Sequence, residues 1–264
     1  MKPANNNQIR AELLENGTVL RLLLNQPKAN ILTIAMVREL QDALDTHRDL
    51  KDLKLVVLRG AGGCFSYGAS IQEHRRETAA DMLTGFHRLV RDLATFPVPT
   101  AALVEGPCLG GGFEVALCCN FIFATSDAAF ACPEIKLGVI PPVLATVGRH
   151  RLGGPTTERL VLTGGELSLE QAEHVGWLTA RLNSRPDPEA ELLAWFHDHL
   201  APLSAYALRQ GTRATRIGAA WVTALDQDLE TVEKLYLDDI VPSHDGNEGI
   251  EAFLEKRAPR WTNA

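Results

Sequence analysis

Apolar residues occur in two patterns along the first half of the chain, and the first pattern predicts β-strands. Continuous apolar runs of a strand's length are "TVLRLLLN" (18–25), "LKLVVLRG" (53–60) and "PTAALVEG" (99–106), and such runs are typical of buried strands. The segment "IRAELLE" precedes the first run, and the Asn16-Gly17 dipeptide between them favours a tight turn. We therefore expect the first two strands to pair as a hairpin.

The second pattern has apolar residues at helical spacing and predicts helices between these strands. It covers residues 33–49, where Thr33 is suited to the N-cap position, and residues 79–96, which end before Pro97. Further on, "FIFATSDAAFACPE" (121–134) predicts two short strands joined by a turn. Repeated alternation of strand and helix indicates an α/β core with both faces of its sheet covered.

The character of the chain changes near Pro186, after which only helices are predicted. Four segments have helical spacing, and they are "PEAELLAWFHDHL", "AYALRQGTRATRIG", "TALDQDLETVEKLYLDDI" and "NEGIEAFLEKRAPRW". We therefore divide the chain into an α/β core over residues 1–200 and a helical region over residues 201–264. Helices of this kind often lie at a subunit interface.

Composition and charge exclude several classes of function. The chain has 264 residues, of which 45% are hydrophobic, and its formal net charge is −7. This acidic balance argues against a nucleic-acid partner, although local backbone donors can still bind a small anion. No apolar run approaches the roughly 18 residues that span a membrane, and "MKPANNNQIR" lacks the apolar stretch of a signal peptide. We expect a cytoplasmic protein.

The five cysteines fit that expectation. Their number is odd, no two of them form a C-x-x-C pair, and most lie in apolar or glycine-rich surroundings. Such cysteines indicate buried, reduced thiols and not a disulfide framework.

Two predicted strands end in loops rich in small residues, "RGAGGCFSYGASI" (59–71) and "EGPCLGGGFE" (105–114). Neither fits the glycine patterns of dinucleotide- or phosphate-binding loops, and "YGASI" does not fit the serine-hydrolase elbow. One N–H group from each loop could converge on a carbonyl oxygen as an oxyanion hole, and the start of a helix over 112–119 would add its positive end. The alternative is a pair of structural turns, and the glycines alone do not decide between them.

Two glutamates favour the oxyanion hole over the pair of structural turns. Glu114 interrupts an apolar run, where a lone charge costs several kcal/mol unless it is paired or protonated. Glu134 opens another first turn after a buried strand. Each acid taken singly fits a helix start, but the two together could form an acid/base pair.

Other polar residues are weaker candidates. His74 follows the first glycine loop and could reach a site, whereas His87 lies on an amphipathic helix. Arg75, Arg76, Arg149 and Arg151 could meet phosphates, or they could be solvated. No spacing of His, Asp or Glu suggests a metal site.

These motifs together resemble the crotonase (enoyl-CoA hydratase/isomerase) superfamily. "FSYGASI" (65–71) is similar to the family's first oxyanion motif, and the segment over 106–141 is similar to the one that carries the second oxyanion donor and both hydratase glutamates. The likeness runs from "NQPKANIL" (25–32) to "AFLEKRAPRW" (252–261). Thirty-odd residues in one register make it specific.

The resemblance implies a role for each matching residue. It makes Glu114 the residue that deprotonates water and Glu134 the residue that protonates the substrate carbon. The N–H groups of Ala69 and Gly111 would bind the thioester oxygen. The residues that fall where the family holds coenzyme A are Lys28, Ala29, Ala69 and Ile71.

The resemblance also implies a fold, an assembly and a reaction. The fold would be a spiral of ββα turns with a helical carboxyl-terminal region, assembled as trimers or hexamers. Coenzyme A would enter as part of the acyl-CoA substrate, with no separate cofactor. The presence of both glutamates favours addition of water, while a ring-opening hydrolase or an isomerase that uses one glutamate remains the alternative; a scaffold protein would be expected to lack them.

Three departures from the usual family pattern bear on the substrate. Ser70 stands where many members have Asp, and "IPPVLATVGRHRLGG" (140–154) replaces a more glycine-rich segment, which alters the acyl-pocket wall. "SIQEH" (70–74) resembles the branch that hydrates cyclohexa-1,5-diene-1-carbonyl-CoA in anaerobic aromatic degradation. We expect that substrate, with a general short-chain enoyl-CoA hydratase as the alternative.

Overall fold

The first two strands form the hairpin that the sequence predicts. In the computed structural model, which describes residues 7–182 and 187–264, β1 (Ile9–Leu14) pairs antiparallel with β2 (Val19–Leu24). Asn16 lies in the connection with a φ of 55°, a left-handed conformation that asparagine adopts more readily than most residues. The hairpin therefore follows from local turn chemistry.

The described residues form two sheets. The remaining strands are β3 (Leu55–Gly60), β4 (Thr100–Val104), β5 (Pro107–Leu109), β6 (Phe121–Thr125), β7 (Ala129–Ala131), β8 (Glu166–Leu167) and β9 (Ala180–Leu182). The larger sheet has the order β1-β2-β3-β4-β6-β9 and is parallel from β2 onward, and the smaller has the order β5-β7-β8. The strands predicted over 121–134 exist as β6 and β7, but they belong to different sheets.

Helices cover these sheets and fill the carboxyl-terminal region. They are α1 (Ile34–His47), α2 (Ala79–Ala94), α3 (Gly111–Leu117), α4 (Pro142–Arg151), α5 (Gly154–Thr163), α6 (Leu169–His174), α7 (Pro188–His199), α8 (Ala205–Ile217), α9 (Ala220–Lys234) and α10 (His244–Leu254). Thr33 caps α1 as predicted, since its side chain accepts a hydrogen bond from the N–H of Met36. Helices α7 to α10 lie where the four helices after Pro186 are predicted, but the last ends at Leu254 and not near Trp261 as predicted; Pro186 itself lies outside the described residues.

The chain winds as a spiral in which each turn contributes to both layers. A strand of the larger sheet is followed by a short extended segment in the second layer and then by a helix, as in β4, β5 and α3. Parallel bridges between Leu32 and Ala69 and between Ser66 and Cys108 continue the second layer through the earlier turns. The predicted α/β spiral of ββα turns is confirmed, and the loops rich in glycine lie where its short segments end.

The buried apolar side chains of the described residues form three clusters. Strand β4 is buried at all five of its residues, and all five cysteines are buried and free, as the sequence predicts. Within the described ranges, no helix has the length and apolar character needed to cross a membrane.

The carboxyl-terminal helices return to the core. Helix α9 packs against α2 and α4, and α10 packs against the turns at Ile71–His74 and Pro133–Leu137. The predicted boundary between residues 200 and 201 stays a prediction. Residues far along the chain are thus brought beside the two loops.

Candidate active site

The amide groups of Ala69 and Gly111 lie next to each other. A methyl group added to the Cα of Gly111 would lie 3.3 Å from the nitrogen of Ala69, and one added to Gly68 would lie 3.2 Å from the nitrogen of Gly111. In the part of the chain that the structure describes, neither N–H group donates to a protein acceptor. Two adjacent donors free to bind the same oxygen form the geometry of an oxyanion hole.

A buried network holds the loop that carries Ala69. Asn30 is fully buried, and its side-chain amide donates to the carbonyl oxygens of Ala61 and Cys64 at 3.0 and 2.8 Å. Ser66 donates to the carbonyl of Asn30 at 2.7 Å and accepts from the N–H of Gly68 at 3.0 Å. The bonds of Asn30 and the Ser66 hydroxyl join parts of the chain that are distant in sequence, and the bond from Gly68 closes a tight turn. Together they fix the loop.

Gly110 allows a carboxylate to approach the second loop. Its φ is +49°, and a Cβ at this position would lie 2.6 Å from Oε1 of Glu134, closer than any real contact. A side chain here would therefore both strain the backbone and displace the carboxylate. The glycine run that stands out in the sequence serves this close approach.

Glu114 is buried in α3 and bound by the start of α4. Its residue is 3% exposed, and its Oε1 accepts from the N–H groups of Val143 and Leu144 at 2.7 and 2.9 Å. Burial raises the pKa of this carboxyl to about 7, and the two N–H groups hold it from rising further. Glu114, the acid that interrupts the apolar run, is thus held in place, and its carboxyl is near the midpoint of its titration at neutral pH.

Glu134 lies in a 3₁₀ turn, Pro133–Leu137, directly after β7. Its residue is half-buried, but the Oε2 atom is buried and finds no hydrogen-bond partner among the described residues. Burial first, and then the charge of Glu114, raise the pKa of its carboxyl to about 8. Two acids that resist simultaneous ionisation can work as one neutral acid and one ionised base.

A cavity of about 760 Å³ opens beside Ala69. Its lining includes all the residues predicted to hold coenzyme A, namely Lys28, Ala29, Ala69 and Ile71. Two cations that the sequence reasoning missed, Lys136 and Arg257, line it as well. Arg257 is paired with Glu248 and Glu255, whereas neither lysine forms a salt bridge within the described ranges. The sequence could have indicated Lys136, because this residue lies two positions after Glu134.

The four candidate arginines do not line this cavity. Arg75 pairs with Glu251, Arg76 donates to the carbonyl of Pro242, and Arg151 donates to the carbonyl of Cys119. Arg149 is exposed. The interpretation of these arginines as structural or solvated residues therefore fits their surroundings.

The histidines have separate roles. His87 is fully buried and bonded to Glu233, so it is packed against the carboxyl-terminal region. His74 donates from Nδ1 to the carbonyl of Ser70 at 2.8 Å, and burial lowers its pKa. Ser70 lies on the cavity beside Ala69, and its hydroxyl donates to Gln72. Among the described residues, no cluster of three His, Cys, Asp or Glu could hold a metal ion.

The segment after Glu134 contacts the site in an unexpected way. The side chains of Val143 and Leu144 pack in the main core, while their N–H groups bind Glu114. The two prolines before them place a helix start here, because Pro142 occupies the first position of α4. The backbone of the segment over 140–154 therefore orients the carboxylate of Glu114.

Comparison with known proteins agrees with this geometry. The model of the family "Enoyl-CoA hydratase/isomerase" matches residues 14–264. The cyclohexa-1,5-dienecarbonyl-CoA hydratase of Thauera aromatica is 41% identical over 255 residues, which are 97% of each chain. A probable mitochondrial enoyl-CoA hydratase of Dictyostelium discoideum is 32% identical over 94% of this chain and 89% of that protein.

The solved structures give the same result for the fold. The crystal structure of an enoyl-CoA hydratase from Mycobacterium avium subsp. paratuberculosis superimposes with a TM-score of 0.83 at 29% identity, covering 97% of this chain and 98% of that one. The likeness therefore extends over the spiral, the two loops and the carboxyl-terminal helices together. This chain belongs to the enoyl-CoA hydratase/isomerase family.

Proposed function

We propose that this protein is a hydro-lyase that adds water to a conjugated cyclic dienoyl-CoA thioester, cyclohexa-1,5-diene-1-carbonyl-CoA. The observation that carries the reaction type is the pair of buried carboxyls, Glu114 and Glu134, with raised pKa values beside two free amides. The substrate rests on the 41% identity to the Thauera aromatica enzyme of that name.

The two amides supply the electrostatic part of the reaction. The thioester oxygen accepts hydrogen bonds from the N–H groups of Ala69 and Gly111, and it gains negative charge as the nucleophile adds. Donors already in place at such an oxygen contribute about 3 to 4 kcal/mol each to lowering the barrier. The Asn30 and Ser66 network matters here because it fixes one donor before the substrate arrives.

The two carboxyls transfer the protons. Ionised Glu114 accepts a proton from water as the water oxygen bonds to the carbon conjugated with the thioester. Neutral Glu134 gives its proton to a carbon of the resulting extended enolate. One proton enters the pair at Glu114 and one leaves it at Glu134. Glu114 must then lose a proton to solvent and Glu134 must gain one, which restores the starting state. Burial makes this division possible at neutral pH, because it raises both pKa values.

The cavity of about 760 Å³ holds the coenzyme A part of the substrate. Lys28 and Lys136 are placed on its lining, where their ammonium groups attract the phosphates despite the acidic net charge of the chain. Coenzyme A enters and leaves as part of the thioester, so the reaction requires no resident cofactor.

We also propose that the protein acts in the cytoplasm and in anaerobic aromatic degradation. Recovery of the protein from another cell fraction would contradict the cytoplasmic location.

We infer that the protein assembles as a homotrimer or as a hexamer made of two trimers. Ten large hydrophobic side chains of the described residues are exposed, and six of them lie between residues 203 and 261. They are Leu203, Tyr206, Ile217, Leu235, Phe253 and Trp261. Exposed apolar side chains in this region are available to be covered by a neighbouring subunit.

A panel of thioesters tests the proposed substrate. Incubation with the cyclic dienoyl-CoA is expected to give a product 18 Da heavier with the ring intact, at a kcat/KM at least tenfold above that for crotonyl-CoA. Mass spectrometry measures the first quantity and absorbance of the conjugated thioester the second. Comparable turnover of the two substrates would favour a general enoyl-CoA hydratase, ring opening a hydrolase, and an unchanged mass with a shifted double bond an isomerase.

Removing either acid tests the mechanism. We expect Glu114→Gln and Glu134→Gln each to lower the hydration rate at least a hundredfold, because an amide can neither accept nor deliver the required proton. Circular dichroism and thermal melting should show an intact fold. Glu73→Gln, in the turn that follows Ala69 but bonded to the N–H of Ile34, is the control that should retain activity. Near-normal hydration by either active-site variant would refute the two-glutamate mechanism.

The assembly is tested by the molar mass in solution. Light scattering coupled to size exclusion is expected to return three or six times the chain mass of 28.8 kDa. A charged substitution in the exposed apolar group, Ile217→Glu, should lower that mass, whereas the matched change Leu50→Glu on the core region should not. A monomer mass for the unaltered protein would contradict the inference.

A further inference from the structure

Tyr236 carries a buried hydroxyl that the two-glutamate mechanism does not use. The chain has three tyrosines, of which Tyr67 and Tyr206 are 48% and 71% exposed, whereas Tyr236 is 1% exposed. Its hydroxyl is fully buried and finds no hydrogen-bond partner in residues 7–182 and 187–264. A buried phenol normally has a partner, and its absence costs folding free energy.

The position of Tyr236 places this hydroxyl beside the candidate active site. The residue lies in a π-helical turn, Leu235–Ile240, at the end of α9, and such turns frequently occur at functional sites. Its ring packs in a cluster with Met82 and Val139, and the cluster includes Ala69 of the oxyanion loop as a partly buried member. The helical region thus delivers a side chain to the loop that binds the thioester.

The electrostatics of the hydroxyl point to the same place. Burial, then the charge of Glu134 and then that of Glu114 raise the pKa of Tyr236. The charges of both carboxyls therefore reach the phenol. Because a raised pKa keeps the phenol neutral throughout the working range, Tyr236 can donate a hydrogen bond but cannot serve as a base.

The imidazole of His74 also lies near the phenol. The ring centroids of His74 and Tyr236 are 6.5 Å apart. The Nδ1 atom of His74 is already bonded to the carbonyl of Ser70, and no hydrogen bond joins the two side chains. The hydroxyl is therefore left to a group that enters the site.

We propose that Tyr236 is a further catalytic residue, whose hydroxyl donates a hydrogen bond to the oxygen atom of the reacting water. The inference rests on the proposed hydration. The water gives one proton to Glu114, accepts a hydrogen bond from Tyr236 through one lone pair, and uses the other lone pair to form the carbon–oxygen bond. Tyr236 keeps its proton, and Glu134 supplies the proton that goes to carbon.

This arrangement assigns three of the four bonding directions of the water oxygen, namely one O–H group and both lone pairs. A water held only by carboxylates can present either lone pair, whereas a donor that occupies one of them directs the other at the substrate. In the reverse reaction the same O–H group stabilises the negative charge that develops on the departing oxygen. A phenol that is neutral in both directions suits both tasks.

The variant Tyr236→Phe removes the hydroxyl and keeps the ring. We expect kcat for hydration to fall about tenfold to a hundredfold, the range for loss of one hydrogen bond in the transition state, while KM changes less than about twofold. The melting temperature should be unchanged or higher, because the variant removes an unpaired buried polar atom. Thr231→Val, which removes an exposed hydroxyl from α9, is the control and should leave kcat unchanged.

The outcomes separate this inference from the proposed function. Wild-type protein that hydrates a thioester, together with a Tyr236→Phe variant whose kcat is within twofold of it, refutes the role of Tyr236 alone. A fall in melting temperature that accompanies the loss of activity indicates a structural hydrogen bond and refutes it as well. Failure of the wild type to hydrate any thioester of the panel refutes the proposed function and, with it, this inference.

Discussion

The desolvation of two neighbouring carboxyls is the constraint on which the site depends. Neither Glu114 nor Glu134 has a cationic partner within the described residues, so burial is not offset by an ion pair and instead raises the pKa of both. The only strong compensation given to Glu114 comes from two backbone N–H groups at the start of α4. The fold therefore holds a proton where the chemistry needs one. Burying these two carboxyls costs stability that two apolar side chains at the same positions would not cost.

The spiral makes that arrangement possible because the short extended segments of its second layer end close to one another, at the candidate site. The amides of Ala69 and Gly111, and the carboxyl of Glu134, each follow such a segment. Close approach then limits the side chains, and the position of Gly110 against Glu134 is the clearest example. Asn30 and Ser66 hold the first loop by bonds that span more than thirty residues, so the preorganisation of the oxyanion donors is a tertiary property.

Much of this was accessible from the sequence because it is written in contiguous motifs. The strands and helices follow from periodicity, and the glycine loops with Glu114 and Glu134 stand in two segments whose likeness to the family is specific. The N–H groups of Val143 and Leu144 were not predicted, because backbone donors leave no mark in residue type and their acceptor lies about thirty residues away.

Tyr236 was missed for a related reason. It belongs to the predicted helical region, where an aromatic residue at helical spacing indicates packing, and only the return of α9 against α2 and α4 brings it beside the oxyanion loop. The interpretation of residues 201–264 as a separate layer was useful for locating helices, but it gave no reason to look there for polar groups of the site. Tertiary contact supplied what local pattern could not.

The proposed proton transfers require that a buried carboxyl of this pair stays protonated at neutral pH. Difference infrared spectroscopy of the unaltered protein against Glu134→Gln measures this directly, through the C=O stretch of a protonated carboxyl. A raised pKa means that the proton is retained until the pH passes the folded value, so the difference spectrum is expected to show a band from protonated Glu134 at neutral pH and to lose it as the pH rises through about 8. Spectra in which both carboxyls are already fully ionised at pH values near 6, well below that value, would contradict it.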